Sequence, residues 1–334
     1  MKYNVMRHAR ILGLLLVLGP LLVTIGGRAG LADPDAWRGE WPRTDFARNS
    51  IPYDEILSGG PPKDGIPAID QPRFIAAAEA GDLAPHEPVI SIQLGGEARA
   101  YPLRILIWHE IVNDTIAGVP IAVTWCPLCN SAVVFDRRVS GRILSFGTTG
   151  KLRHSDLVMY DRQTESWWQQ FLGECIVGAL LGTKLESLPS RVESISRFKS
   201  RFPNGLVLAS PSGSGRAYGR NPYVLYDTSA TPVLYRGSYT GKIPPLARVI
   251  VVGDDAWPLE DLMKRRRIEA GDLVLTWEPG QASPLDAATI EAGREIGNVI
   301  VQRRRGAALE DAVHDISFAF AFHAFQPQGR LHVD

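Results

Sequence analysis

The sequence predicts a β-rich α+β protein made of two related β-rich units from an internal duplication, preceded by an extended Pro/Gly-rich arm. Three observations carry that expectation. From Val89 onward the chain breaks into short β-branched or alternating runs bounded by turn residues. Several of those runs recur, in order, later in the chain. Gly 32 and Pro 24 among 334 residues supply more turn formers than an average globular chain carries.

The elements follow in order. Lys2, Arg7 and Arg10 precede an apolar run, Ile11 to Ile25. At about 15 residues it is short of the ~20 that span a bilayer and suits a signal-peptide core. Gly30-Leu31-Ala32 then offers small residues for cleavage before Asp33, and no cysteine follows to carry a lipid. Residues 1–32 therefore read as a signal peptide, giving an exported, periplasmic or extracytoplasmic body; if uncleaved, the segment is an anchor and the only membrane contact. Residues 33–88 read as the extended arm, with one short helix over Pro72–Ala80 ending at Gly81.

Val89–Leu94 and Glu97–Tyr101 read as a hairpin turning at Gly95-Gly96, a pair that permits positive φ. Val119–Trp125, Ser131–Asp136, Arg142–Phe146, Leu157–Tyr160 and Ser166–Gln169 read as further strands, and Pro102–Val112 and Val192–Phe202 as helices. Ser317–Phe325 alternates strictly, with Phe318, Phe320 and Phe322 on one side and His323 on the small-residue side, and reads as a buried strand.

Tyr101-Pro102-Leu103 recurs as Trp257-Pro258-Leu259, Thr124-Trp125-Cys126-Pro127 as Thr276-Trp277-Glu278-Pro279, and Val133-Val134-Phe135 as Val299-Ile300-Val301. The division implied is a first β-rich unit over 89–210 with the cysteine turn, a connector over 211–244, and a second unit without cysteines over 245–334.

Lys+Arg 36 balances Asp+Glu 36, so nothing electrostatic points to nucleic acid. Cys 3 is too few for a disulfide scaffold. No Gly-x-Ser-x-Gly element or phosphate loop is present. The chemically loaded segment is Cys126-Pro127-Leu128-Cys129, whose spacing suits a reversible disulfide or a grip on one metal ion. Ser131–Asp136 after it is strand-like, so the pair belongs on a turn between strands and not at a helix start.

Two uses of the pair follow. In the redox reading, Cys126 or Cys129 attacks, the other resolves, and His109 is the base. In the metal reading, Cys126 and Cys129 hold Cu or Zn, completed from Cys175, His109 and His154. Around them, Glu110, Asn113 and Asp114 cluster beside His109, with His109 and Asn113 one helical turn apart. Arg153 belongs to a cationic loop, Trp168 to a ring-bearing strand that could wall a pocket, and His323 to the last strand. The third use of the cysteines is a staple in a binding scaffold.

The blocks Tyr101-Pro102-Leu103, His109 to Asp114, Thr124 to Ala132, Phe146-Gly147-Thr148-Thr149-Gly150, Leu157 to Arg162 and Trp168-Gln169-Gln170 resemble the domain-of-unknown-function family 3179. The resemblance covers most of residues 50–330 and implies an exported prokaryotic protein without an assigned activity. Some family members carry selenocysteine in the cysteine motif, which implies redox work at Cys126 and Cys129. The family tends toward a second histidine near the end of the last strand, where this chain has Gln326. The expectation is thus an exported protein active in thiol redox, an oxidoreductase of disulfides or peroxides whose partner is another exported redox protein or a small oxidant. A Cu- or Zn-binding module and a stapled scaffold are its alternatives.

Overall fold

Backbone polar groups in short apolar runs must be paired, and here they pair in mainly antiparallel sheets that close into a ring. A computed structural model describes residues 34–333; the expected signal segment 1–32 lies outside them. The described chain is 39% strand and 15% helix and forms a five-bladed β-propeller.

This overturns the expected α+β architecture of two duplicated units. One blade joins Ile56–Ser58 to Phe146–Arg153, Asp156–Asp161, Trp167–Gln169 and Glu174–Val177, so a strand from the 33–88 segment completes a sheet formed mostly after residue 145. A second runs Ser187–Leu188, Ser131–Asp136, Val119–Cys126, Ile111–Ile116, and a third Arg191–Ser194, Pro88–Leu94, Glu97–Pro102, Leu206–Leu208, Phe74–Ala76. The remaining two are Asp315–Phe318, Arg248–Val252, Asp255–Pro258, Arg330–Leu331 and Arg267–Ala270, Leu273–Glu278, Asn298–Arg305, Ala308–Asp311.

The echoed segments occupy corresponding places in different blades. Pro102 and Pro258 each end a strand at φ −61° and −58° and start a seven-residue helix, Leu103–His109 and Leu259–Arg265. The repetition is therefore one of strand-and-helix parts around a single ring. Sequence similarity between parts carries no information about closure, which depends on pairings between distant segments.

Three local expectations change with it. The Pro72–Ala80 segment is a strand, Phe74–Ala76, followed by one 3-10 turn, Ala77–Glu79. The Pro102–Val112 helix stops at His109, because Glu110 adopts φ 58°, and Ile111–Ile116 is a strand. His109 and Asn113 consequently do not share a helix face. The Phe-rich segment is strand only through Phe318; Ala319–Phe325 is a helix whose Ala319, Phe320, Ala321, Phe322 and Phe325 are all buried. A helix buried nearly all round needs no apolar stripe, so the two-residue alternation had no bearing on its period.

The strands that carry the cysteines lie deep. Val119–Cys126 and Ser131–Asp136 are buried on both faces apart from Val119, the condition of a central strand. Trp125, Phe135, Phe146 and Trp168 pack in the same core. The arm is held by Trp41 and Phe46, which pack edge-on against Trp167 at ring separations of 5.2 and 5.3 Å.

Candidate functional site

Cys126 ends its strand opposite Ser131, and the four-residue reversal between them is closed by Asn130 N–H donating to Pro127 O at 3.2 Å, with Asn130 at φ 52°. Asparagine tolerates that left-handed conformation better than most residues. The turn between two strands is as the sequence predicts. What it faces is not.

A neighbouring blade brings a second tight turn against it. His154 and Ser155, at φ 49° and 67°, reverse the chain between Phe146–Arg153 and Asp156–Asp161. The Cys126 thiol donates to Ser155 O at 3.5 Å, and the Cys129 thiol to His154 O at 3.8 Å. A third blade closes the other side: Phe318 N–H donates to Cys129 O at 3.0 Å, Asn130 Nδ2 to Ile316 O at 2.7 Å, and Ala132 N–H to Asp315 Oδ1 at 2.8 Å.

The turn at 154–155 delivers Asp156. Its carboxyl oxygen and the Cys126 and Cys129 sulfurs all lie within 4.8 Å of one another, and all three residues are buried. Asp156 Oδ2 accepts from Gln169 Nε2 at 2.5 Å and from Phe171 N–H at 2.9 Å. Asp156 Oδ1 is buried with no hydrogen-bond partner. Gln170 Oε1 is also buried without one, whereas the Ser131 hydroxyl and Asp315 carboxyl interact with each other.

Every acid around the turn is pushed toward its protonated form. Burial raises Asp156 to about 7, and burial followed by the Asp156 charge raises Glu110 to about 8. Asp315 is raised to about 6, again by burial. Burial drives both thiols up, Cys129 furthest. The Lys151 ammonium is engaged elsewhere, 3.6 Å from Glu40 and over the rings of Trp37, Trp41 and Trp167.

Above the turn lies a cavity of about 480 Å³ reached by Cys126 and Glu110, with Leu128, Leu152 and Leu157 among its walls. Cys129 and Asp156 do not line it. Glu110 is there because its positive φ ends the helix and turns the chain into Ile111–Ile116.

The other expected residues are placed elsewhere in the network. His109 Nδ1 bonds Pro67 O and Nε2 bonds Tyr218 OH, each at 2.7 Å, and the ring stacks on Tyr218, so both nitrogens are used away from the thiols. Cys175 sits in the outer strand Glu174–Val177, donating to Val177 O at 3.5 Å. His154 contributes its carbonyl, while its ring lies by Glu55, 3.3 Å away, and Phe325. Among the described residues the metal-competent group contains none of Cys175, His109 and His154.

Asn113 donates to Asp70 and to Phe146 O, and Asp114 holds Arg99 and the Tyr101 hydroxyl. Arg153 pairs with Glu55 at 2.6 Å, and the Trp168 indole donates to Asp161 at 3.0 Å. His323 lies edge-on to Tyr239.

Asp156 is the residue that sequence reasoning missed. Its signal is local, a two-residue reversal between strand-like runs followed at once by an acid, but nothing in the sequence aims that reversal at the cysteines.

The family model described as "Protein of unknown function (DUF3179)" matches residues 63–329. No curated protein and no solved structure matches the chain.

Proposed function

The chain belongs to the DUF3179 family, whose description assigns no activity, and we propose that it is an exported metalloprotein holding one zinc ion on Cys126, Cys129 and Asp156. The observation that carries this reading is the convergence of two thiols and a carboxyl within 4.8 Å, with Asp156 Oδ1 buried and unpartnered. In tetrahedral geometry, with Zn–S near 2.3 Å and Zn–O near 2.0–2.2 Å, ligand atoms on one zinc stand roughly 3.5–3.8 Å apart, so the three groups need to close by at most about 1 Å. A divalent charge would also favour the ionised form of these buried acids. The carboxylate oxygen favours Zn(II) over Cu(I), which prefers sulfur throughout. Three protein ligands leave a fourth position, the arrangement of catalytic rather than structural zinc. Cys126 and Glu110 at the cavity put a fourth ligand and a proton-handling carboxyl on the side a small molecule would reach. Export rests on the basic and apolar pattern of residues 2–32.

The test is native mass spectrometry and elemental analysis of protein purified without chelator or reductant. One zinc per chain is expected, with Cys126 and Cys129 resisting alkylation until the ion is stripped. A metal-free chain whose two thiols alkylate at once overturns the reading.

A thiol-redox function is the second reading, and one observation favours it. Cys126 reaches the cavity whereas Cys129 lies behind it, the order needed for an attacking and a resolving thiol. In this case Asp156, not His109, is the neighbouring proton acceptor. A mass lower by two hydrogens, with alkylation only after reduction, would select this reading over zinc.

A further inference from the structure

The segment 222–234 closes one side of the cavity and is unusual in two respects. Val224, Leu225, Val233 and Leu234 are 48%, 60%, 49% and 37% exposed, a cluster of large apolar side chains in solvent. Leu225 and Leu234 also hold φ of 61° and 56°. A left-handed conformation is unfavourable for a residue other than glycine, and such strain concentrates at functional sites.

The segment is nevertheless pinned. Tyr226 OH donates to Leu128 O at 3.0 Å, inside the cysteine turn, and Ser155 Oγ donates to Val233 O at 2.6 Å, inside the Asp156 turn. Leu225 N–H donates to Asp286 O at 2.7 Å. The segment that carries these apolar side chains, itself part of the cavity wall, is thus tied both to the cysteine turn, which also lines the cavity, and to the turn at 154–155.

The charge of the cavity narrows what can enter. Its titratable lining groups are Glu110, Cys126, Lys151, Tyr223 and Tyr226. Lys151 is taken up by Glu40 and the tryptophan rings, and Asp156 and Asp315 stand behind the floor. An anionic ligand would find no free cation among these lining groups, only apolar walls and a carboxyl. The Glu110 carboxyl makes no hydrogen bond to any described residue, so it is available to a ligand's polar group. A volume of about 480 Å³, apolar walls and one polar anchor match the usual anatomy of a small-molecule pocket.

We infer that this cavity binds an uncharged, mainly apolar small molecule, which enters past Val224, Leu225, Val233 and Leu234 and hydrogen-bonds the Glu110 carboxyl with its one polar end over Cys126. The inference goes beyond the zinc reading and does not require the ion.

The test is fluorescence titration of the full mature protein with Nile red, a neutral apolar dye bearing a carbonyl, and with the anionic dye ANS. Nile red should saturate at one per chain and bind at least tenfold more tightly than ANS. Val224→Glu and Val233→Glu, both at exposed side chains, should each weaken Nile red at least tenfold while circular dichroism and melting temperature stay unchanged. Absence of saturable binding, equal affinity for ANS, or Nile red affinity unchanged in both variants overturns the inference. Titrating zinc-loaded and chelated protein separates it from the zinc reading: dye binding to a chain that takes up no zinc defeats the zinc reading alone, and zinc uptake without dye binding defeats this one alone.

Discussion

Replacing Glu110 with glutamine should make the metal-free protein more stable, and only above mildly acidic pH. The Glu110 carboxyl faces the cavity, makes no hydrogen bond among the described residues, and is raised by desolvation to about 8, against 4.5 for the free side chain. A folded value above the unfolded one means full stability below pH 4.5 and progressive loss as pH rises toward 8, because the unfolded chain releases a proton that the folded chain keeps. At pH 7 the gap of roughly 2.5 pH units, at 1.36 kcal/mol each, is on the order of 3 kcal/mol. Glutamine has a similar shape and no proton to release, so Glu110→Gln removes this loss. Urea unfolding of chelated protein should show a variant more stable by about 3 kcal/mol at pH 7 and by almost nothing at pH 4.5. Added zinc should narrow the gap, since a nearby cation favours the ionised carboxylate. A difference between the two proteins that stays flat from pH 4.5 to 8.5 would refute the account of Glu110 as a buried acid raised by desolvation.

Further outcomes test the rest of the site. Asp156→Asn keeps an oxygen to accept from Gln169 and Phe171 N–H but loses the anionic ligand; zinc affinity, read by competition with a chromophoric chelator, should fall at least ~10-fold with the fold retained. Cys175→Ser, outside the metal-competent group, should change stability by about 1 kcal/mol and leave zinc content at the wild-type level, as elemental analysis will show. His109→Ala breaks the bonds to Pro67 O and Tyr218 OH and should cost roughly 1–3 kcal/mol in chemical denaturation. The alkylation rates of Cys126 and Cys129 should not follow it; a large change there would restore His109 to the thiol site. Gly150→Ala should be among the most damaging changes in the chain. Gly150 has φ 70°, and an added Cβ would stand 1.9 Å from Pro61 O, so a melting temperature within a few degrees of wild type would contradict the packing of the arm on this blade.

What the sequence determined by itself is local. Spacing and flanking residues placed Cys126 and Cys129 on a turn between strands, and Gly95-Gly96 marked a hairpin that forms with φ of 54° and 87°. Such features depend on a few consecutive residues whose backbone preferences act without help from the rest of the chain. The period of Ser317–Phe325 misled because a segment buried on most sides loses the polar face that distinguishes a helix from a strand. Ring closure and the site required more. Asp156, 27 residues beyond Cys129 by numbering, meets the thiols only because one blade's reversal at His154-Ser155 packs on the next blade's cysteine turn. The raised acids, the unpartnered Asp156 Oδ1 and the cavity arise from burial. Desolvation is set by everything that surrounds a group in space, so it belongs to the tertiary structure and leaves no mark in the order of residues.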